Sequence, residues 1–217
     1  MLIAPYQRRF FRTLTGVSAA RARLVSPGQL VLGLDDDPIA IRDLLMARIR
    51  RESPGARLVA EMGVCQGVAR IDLAAIGHQL DGYEIKSGRD DLSRLPAQAA
   101  AYGQVFDRLT LVTSERHLQD AAEGLPEWWG LALVNGDART IEPVRLPVLN
   151  PNRDALAMVR LLWRDEAVDA LEPRLGRRPR TPRMALWQQL VELTPPDELR
   201  DLVCRSLRER TDWRAAG

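Results

Sequence analysis

Residues 57–87 read RLVAEMGVCQGVARIDLAAIGHQLDGYEIKS, and this stretch determines the fold class that the sequence predicts. Its apolar and β-branched residues fall into three runs of strand length. We predict strands at 57–64, 69–76 and 83–87. Turn residues separate the runs, with Cys65-Gln66-Gly67 after the first and Asp81-Gly82 before the third. Connections this short favour antiparallel hairpins, so we expect three adjacent strands in one sheet.

Helices are predicted before and after these strands in the sequence. Asp37 and Pro38 are typical of a helix start, and the apolar periodicity after them indicates a helix that ends near residues 53–55. Ser93 is a suitable cap for a second helix with an apolar stripe that reaches Phe106. Further segments follow in this order: strand 109–113, helix 117–122, strand 129–134, and helices 154–171, 182–193 and 196–210. This order predicts an α/β fold, a mixed β-sheet flanked by helices, with a C-terminal helical extension.

The distribution of charge and of turn residues divides the chain into three regions. Residues 1–34 contain several arginines and no acidic residue, and we interpret them as an N-terminal basic arm. Residues 35–149 hold the predicted sheet and form the core domain. The stretch Asn150-Pro151-Asn152 indicates a linker, so residues 150–217 form a C-terminal helical region.

Composition excludes several classes of protein. A net charge of +2 over 217 residues excludes a strongly basic nucleic-acid coat protein. No apolar run approaches the roughly 18 residues of a membrane helix, so we expect no membrane association. Cys65 and Cys204 stand alone, which predicts a reducing, cytoplasmic compartment without disulfides. His78 and His117 are far apart and have no Cys-x-x-Cys companion, so a zinc site is not expected.

Lys86 is the only lysine in a chain with 31 lysine and arginine residues together. Lysine carries a compact charge and its pKa shifts readily on burial, whereas arginine is a planar fork that stays charged. We therefore interpret Lys86 as a position where arginine cannot do the same work.

The neighbours of Lys86 suggest what that work is. Side chains alternate along a strand, so Glu84 and Lys86 should share a face while Tyr83 and Ile85 enter the core. The same rule places Asp72 on the opposite face of its strand from its neighbours Ile71 and Leu73. If the two strands pair as a hairpin, Asp72 and Glu84 converge.

Two converging carboxylates repel each other and stay charged only if a cation lies between them. Oxygen ligands with an open coordination sphere suit Mg²⁺ or Mn²⁺. Lys86 beside such a metal would polarise a water or stabilise charge on a phosphate oxygen. Glu61, on the preceding strand, is a candidate third acid.

Asp72, then Glu84-x-Lys86, then Gln98-x-x-x-Tyr102 resemble the PD-(D/E)XK nuclease superfamily, and more narrowly a little-characterised bacterial group within it. The resemblance covers roughly residues 37–135 and implies a restriction-endonuclease-like fold. It implies that Asp72 and Glu84 bind metal, that Lys86 activates water and that Gln98 helps to orient it. The Ile85 carbonyl is then a further metal ligand and Glu61 an accessory acid.

Two residues depart from the pattern of that superfamily. Ile71, and not proline, precedes Asp72. The first predicted helix lacks the glutamate that is frequent there, which leaves its role to Glu61 or to no residue.

A second basic stretch lies near the C-terminus. Residues 174–183 contain five arginines and no acid, namely Arg174, Arg177, Arg178, Arg180 and Arg183. Such a stretch can contact the phosphates of nucleic acid, although a solvated loop has the same composition.

The expected function is metal-dependent hydrolysis of phosphodiester bonds in DNA. A homodimer is compatible with this expectation, because many nucleases of that superfamily need two active sites for a double-strand cut. The alternative is a non-catalytic nuclease-like module that binds nucleic acid or a partner protein. A third interpretation is a structural α/β domain whose acidic pair is a surface feature.

Overall fold

The computed structural model describes residues 33–211 and 213. In these residues the chain forms six strands, β1 (Arg57–Val64), β2 (Ala69–Ile76), β3 (Leu80–Lys86), β4 (Arg108–Thr113), β5 (Gly130–Asn135) and β6 (Thr140–Arg145). The same residues form seven α-helices, α1 (Pro38–Glu52), α2 (Leu95–Gly103), α3 (Glu115–Gly124), α4 (Ala155–Val159), α5 (Arg164–Leu175), α6 (Arg183–Leu193) and α7 (Pro196–Glu209). The predicted mixed α/β fold with C-terminal helices is confirmed. The predicted basic arm lies outside the described residues, except for its last two.

The six strands form one sheet in which they lie side by side in chain order. β1, β2 and β3 are antiparallel neighbours, as the short connections predict. The predicted turn at Asp81-Gly82 is wrong, because both residues lie within β3 and residues 77–79 connect β2 to β3. β3, β4 and β5 are parallel, and β6 is antiparallel to β5. Parallel neighbours need long crossovers, and the two crossovers here contain α2 and α3.

Helices cover both faces of the sheet, so the buried residues form two clusters. On one face, Ile41 and Leu45 of α1 pack with Tyr83 and Ile85 of β3. On the other face, α2, α3 and the C-terminal helices pack over the sheet in a larger cluster. The prediction that Tyr83 and Ile85 enter the core is confirmed. None of the described helices is long and apolar enough to cross a lipid bilayer.

β6 was not predicted from the sequence. It contains Pro143, which lacks an amide hydrogen and argues against a strand interior. β6 lies at the edge of the sheet, and its register against β5 shifts beside Ala132, the partner of Pro143. An edge position with an irregular register tolerates proline, and the available signal for the hairpin was Asn135-Gly136 between β5 and β6.

The single helix predicted at 154–171 is wrong, because the chain forms two helices there, α4 and α5. The amide of Trp163 donates to Glu166 Oε2 at 2.6 Å, which caps the start of α5. The carbonyl of Leu162 accepts a hydrogen bond from the indole of Trp187 at 3.3 Å. The break therefore has both a local cap and a partner from α6.

The C-terminal helices share one core with the sheet. Val159, Leu190 and Val203 belong to the same buried cluster as Leu109 of β4. The side chain of Asn150 donates to the carbonyl of Gly103, the last residue of α2, at 2.6 Å and to that of Phe106 at 2.9 Å. The boundary at 149/150 is therefore a change of secondary structure within one compact unit.

Gly82 in β3 is required by its surroundings. A Cβ at this position would lie 2.6 Å from Ile71 Cδ1, 2.7 Å from Leu109 Cδ2 and 2.9 Å from Phe106 Cδ1. All three neighbours are fully buried and have no free space to move into. Only glycine lets β2, β4 and Phe106, which follows α2, approach β3 this closely.

We expect Gly82→Ala to lower the free energy of unfolding by about 1–3 kcal/mol, the usual range for overpacking a core. Gly55→Ala is the matched control, because no heavy atom lies within 4 Å of a Cβ built there. Its effect should stay within about 0.5 kcal/mol. Urea denaturation measures both variants, and equal destabilisation of the two would contradict the packing argument.

Candidate functional site

A pocket of about 570 Å³ lies where α1, α2 and the first three strands meet. All the catalytic and metal-binding residues predicted from the sequence line it, namely Glu61, Asp72, Glu84, Ile85, Lys86 and Gln98. The other charged residues of its wall are Arg42, Arg70, Asp90 and Arg94. The fold thus brings residues from three strands and two helices to one place.

Strands β2 and β3 separate at this pocket. Their backbone ladder ends at the pair Leu73 and Tyr83, although Asp72 and Glu84 would be the next pair. The Asp72 carboxylate instead accepts the amide hydrogen bond of Ile85, with Oδ2 2.7 Å from the nitrogen. A side chain therefore satisfies a main-chain donor that the neighbouring strand no longer reaches.

The predicted alternation of side chains along β2 is wrong at Asp72. Ile71 packs in the cluster beneath α2, whereas Leu73 packs beneath α1. In β1, Glu61 has a left-handed backbone with φ of 53°. Within the described β1–β2 ladder neither Glu61 nor Asp72 is paired, while the pairs on either side keep one register. Glu61 and Asp72 therefore lie opposite each other as irregular residues. The side chains of both strands change to the other face of the sheet at this point, while the pairing register of β1 and β2 stays the same.

Glu84 is 1% exposed and its carboxylate contacts three side chains. Oε1 lies 2.9 Å from Lys86 Nζ and accepts a hydrogen bond from Gln98 Nε2 at 2.6 Å. Oε2 lies 3.0 Å from the hydroxyl of Tyr102, which is also 2.7 Å from the Arg70 carbonyl. Lys86 is 4% exposed. The prediction that Glu84 and Lys86 share a face is confirmed.

Tyr102 has a larger part in the site than the sequence indicated. Its hydroxyl lies on the Glu84 carboxylate and 3.3 Å from Gln98 Nε2. Burial, and then the charge of Glu84, raise the pKa of Tyr102, so the phenol stays neutral. The available signal was the i, i+4 spacing of Gln98 and Tyr102, which places both on one face of α2.

Asp72 is held in an environment that disfavours its charge. Burial, and secondly the charge of Glu84, raise the pKa of Asp72 to about 7. The hydrogen bond from Ile85 lowers the pKa of Asp72 but does not outweigh these effects. Near neutral pH the carboxyl is therefore poised between its two forms, and a bound cation would favour the ionised one.

These donors fit a divalent cation such as Mg²⁺ or Mn²⁺. Asp72 and Glu84 offer hard carboxylate oxygens, and Ile85 borders the same pocket. The side-chain oxygen of Gln98 is buried and has no donor among the described residues, which suits a bound water. In residues 33–211 and 213, no three His, Cys, Asp or Glu side chains are grouped around one ion position. Two carboxylates would thus share the ion with main-chain and water oxygens.

Glu61 lines the pocket but its carboxylate is bound to arginines. Oε2 lies 2.9 Å from Arg70 Nε, and Oε1 lies 3.5 Å from the guanidinium of Arg42. The charge of Glu61 still contributes to the raised pKa of Asp72. Glu61 is therefore an ion-paired neighbour of Asp72, and its role as a third acid stays a prediction.

The five C-terminal arginines predicted to bind nucleic acid do not line this pocket. Two of them are engaged in ion pairs. Arg178 lies 2.9 Å from both Asp169 and Glu172. Arg174 pairs with Glu198 of α7. The charge of these two arginines is already largely compensated.

The other three arginines have no carboxylate partner among the described residues and are more available for contacts with phosphate. Arg177 and Arg180 are exposed, form no ion pair within the described residues, and border a separate surface pocket with Arg164 and Arg178. Arg183 lies over an aromatic ring of its own helix, 4.8 Å from the ring centre. The cationic surface in this region is therefore smaller than five arginines in sequence suggest.

The sequence model of the family described as bacteriophage P4 protein cII matches residues 39–215. This chain belongs to the bacteriophage P4 cII family. The matched region begins in α1 and includes the sheet, the pocket and the C-terminal helices, so the P4 cII family pattern spans both the sheet and the helical region. No curated protein matches the chain, and no solved structure matches it either.

In this member of the P4 cII family we expect Asp72→Asn to raise thermal stability in metal-free buffer at alkaline pH. The pKa of Asp72 is about 7 in the folded protein, against an ordinary value of 3.8. Between these values the folded protein keeps a proton that the unfolded chain has released, so Asp72 lowers stability as pH rises from about 4 to about 7. Asparagine keeps the acceptor for Ile85 and carries no charge.

Melting temperatures in EDTA at about pH 5 and about pH 8 measure this effect, and the gain should be larger at pH 8. Asp120→Asn is the control, because Asp120 is exposed on α3 and its replacement also removes one negative charge. An equal gain at both pH values, or the same gain in the control, would contradict the expectation.

Proposed function

We propose that this protein is a divalent-metal-dependent nuclease that hydrolyses phosphodiester bonds in DNA. The observation that carries the proposal is the meeting of Asp72, Glu84 and Lys86 in one pocket, with the buried Lys86 ammonium 2.9 Å from Glu84. Two acids suited to a hard cation, beside a buried ammonium, can bring a metal, a water and a phosphate together.

Each side chain has a part in this chemistry. Asp72, Glu84 and the Ile85 carbonyl would hold Mg²⁺ or Mn²⁺, which lowers the pKa of a bound water and neutralises charge on the phosphate. Lys86 holds a positive charge beside the attacking water and stabilises negative charge that develops on the phosphate. Gln98 donates to Glu84 through its nitrogen, and its unpartnered oxygen can accept a hydrogen bond from the water.

Membership of the PD-(D/E)XK nuclease superfamily is part of this proposal. It is supported by the order of elements, which runs from α1 through three antiparallel strands to α2 and the parallel strand β4. It is also supported by the placement of Asp72 in β2, of Glu84 and Lys86 in β3, and of Gln98 and Tyr102 in α2.

A non-catalytic module that binds nucleic acid or a partner protein is the second candidate. It is favoured by the contacts of Glu84, whose carboxylate is already satisfied by Lys86, Gln98 and Tyr102 without a metal. Incubation of linear, nicked and branched DNA with the protein in Mg²⁺, Mn²⁺ or EDTA separates the two. A nuclease cleaves at least one substrate and stops in EDTA, whereas a binding module retains DNA without cleavage under all three conditions.

We expect Lys86→Arg to reduce DNA cleavage by about 10²-fold or more, close to the loss in Lys86→Ala. Lys86 is 4% exposed, and the longer planar guanidinium cannot occupy the same space or direct a single point charge at one oxygen. Initial rates in Mg²⁺ and Mn²⁺, at saturating DNA, measure the loss.

Arg178→Lys is the control, because Arg178 forms exposed ion pairs with Asp169 and Glu172 at 2.9 Å. Exposed pairs contribute roughly 0–1 kcal/mol, so this exchange should leave cleavage unchanged. Wild-type rates in Lys86→Arg would mean that Lys86 has no part in the reaction.

The compartment and the assembly are further parts of the proposal. We place the protein in the reducing cytoplasm, since Cys65 and Cys204 are free thiols. We also propose that two copies associate for a double-strand cut. Light scattering of the protein with and without duplex DNA tests this assembly, and a monomer under both conditions contradicts it.

We expect Arg177 and Arg180 to contribute phosphate contacts to DNA binding. Replacing both with serine should weaken binding and reduce the slope of log K against log salt by about 1.8, or 0.9 for each lost contact. The control replaces Arg174 and Arg178, whose charges are compensated by carboxylates, and should change the slope less. Fluorescence anisotropy over a salt series measures both, and equal slopes for wild type and the Arg177/Arg180 variant would contradict the assignment.

A further inference from the structure

The carboxylate of Glu61 bridges two arginines in the wall of the pocket. Arg70 Nε lies 2.9 Å from one oxygen and the Arg42 guanidinium lies 3.5 Å from the other. The arginines come from β2 and α1, so the fold and not local sequence brings them together. The side chains of Arg42, Glu61 and Arg70 are 26%, 45% and 64% exposed, so solvent and ligands can reach this contact.

The backbone at Glu61 is unusual for a glutamate. Its φ of 53° lies in the left-handed region, which residues other than glycine occupy at an energetic cost. Glu61 is also unpaired in the β1–β2 ladder within the described residues. The chain therefore accepts a strained conformation at the position that directs this carboxylate to the two arginines.

In this arrangement each oxygen of one anion lies near one guanidinium group. The same arrangement also suits a phosphate group. A phosphodiester presents two non-bridging oxygens that share a negative charge, as a carboxylate does, and arginine forks recognise both groups. Among the described residues, no acid other than Glu61 lies within ion-pair distance of Arg42 or Arg70. If Glu61 moved away, the two arginines would form a vacant anion site beside Asp72, Glu84 and Lys86.

We propose that Arg42 and Arg70 form a phosphate-binding site that Glu61 occupies in the free protein, and that a phosphate group of nucleic acid displaces Glu61 on binding. This inference rests on the proposed function, since it assigns a substrate contact to the same pocket. Glu61 is then an internal competitor of the substrate. The exchange also removes a negative charge from the neighbourhood of Asp72, whose pKa Glu61 helps to raise.

The experiment measures binding of labelled single-stranded and duplex DNA to the full-length protein in EDTA, where metal-dependent cleavage does not occur. Glu61→Gln should tighten binding by about fivefold, because two exposed ion pairs no longer compete with the phosphate. Glu61→Gly should give a similar gain, and it also suits the left-handed backbone. Arg42→Gln and Arg70→Gln should each weaken binding and should abolish the gain when combined with Glu61→Gln.

Glu52→Gln is the matched control. Glu52 also pairs with an arginine of α1 and its removal changes the net charge equally, so it reports the general effect of charge. The proposal is overturned if Glu61→Gln binds DNA no more tightly than Glu52→Gln, or if the gain survives loss of both arginines.

Competition by inorganic phosphate identifies the source of the phosphate group. If inorganic phosphate competes with DNA and this competition requires Arg42 and Arg70, the site binds free phosphate as well. If the variants change DNA binding but phosphate does not compete, the site is specific for the phosphodiester backbone. If neither inorganic phosphate nor DNA binding depends on Glu61, Arg42 and Arg70 in this way, the proposal is overturned. Failure of DNA cleavage with this binding pattern intact would overturn the nuclease assignment alone.

Discussion

The separation of β2 and β3 at Asp72 is the constraint on which the rest of the site depends. The strands pair as far as Leu73 and Tyr83, and beyond that point the Asp72 carboxylate replaces the missing ladder partner of Ile85. A strand end opened without such a substitute would leave a buried amide unsatisfied, at a penalty of about 1–3 kcal/mol. The substitution lets the sheet open into a pocket and directs an acid into it.

The buried pair of Glu84 and Lys86 is a second consequence of this opening. Both groups are almost fully removed from water, and desolvation of two charges offsets much of their mutual attraction. Gln98 and Tyr102 from α2 complete the partners of the carboxylate. A well-packed apolar pair could stabilise the fold as well. The stability of the fold therefore does not require these two charges, which agrees with the proposed role of Glu84 and Lys86 in the chemistry of the site.

The C-terminal helices stabilise the same platform from the far side of the larger core. They belong to the same buried cluster as β4, and the side chain of Asn150, just before them, donates to the carbonyls of Gly103 at the end of α2 and of Phe106. Because α2 carries Gln98 and Tyr102, which contact Glu84, this part of the chain supports the helix behind the site without lining the pocket. This dependence agrees with a family match that extends from α1 through the last helix.

Most strands and helices could be predicted from the amino-acid sequence, because they follow from local hydrophobic runs. The shared face of Glu84 and Lys86 could be predicted as well, because side chains alternate along one strand. The local runs did not predict the edge strand β6, the break between α4 and α5, or the change of face at Asp72. Pro143 argues against a strand unless its place at a sheet edge is known, the break before α5 depends partly on Trp187 of α6, and the change of face depends on the pairing of β2 with β1. The hydrogen bond between Asp72 and Ile85 and the ion pairs of Glu61 could not be predicted from the sequence, because those contacts require α1 and the three strands to be placed against one another.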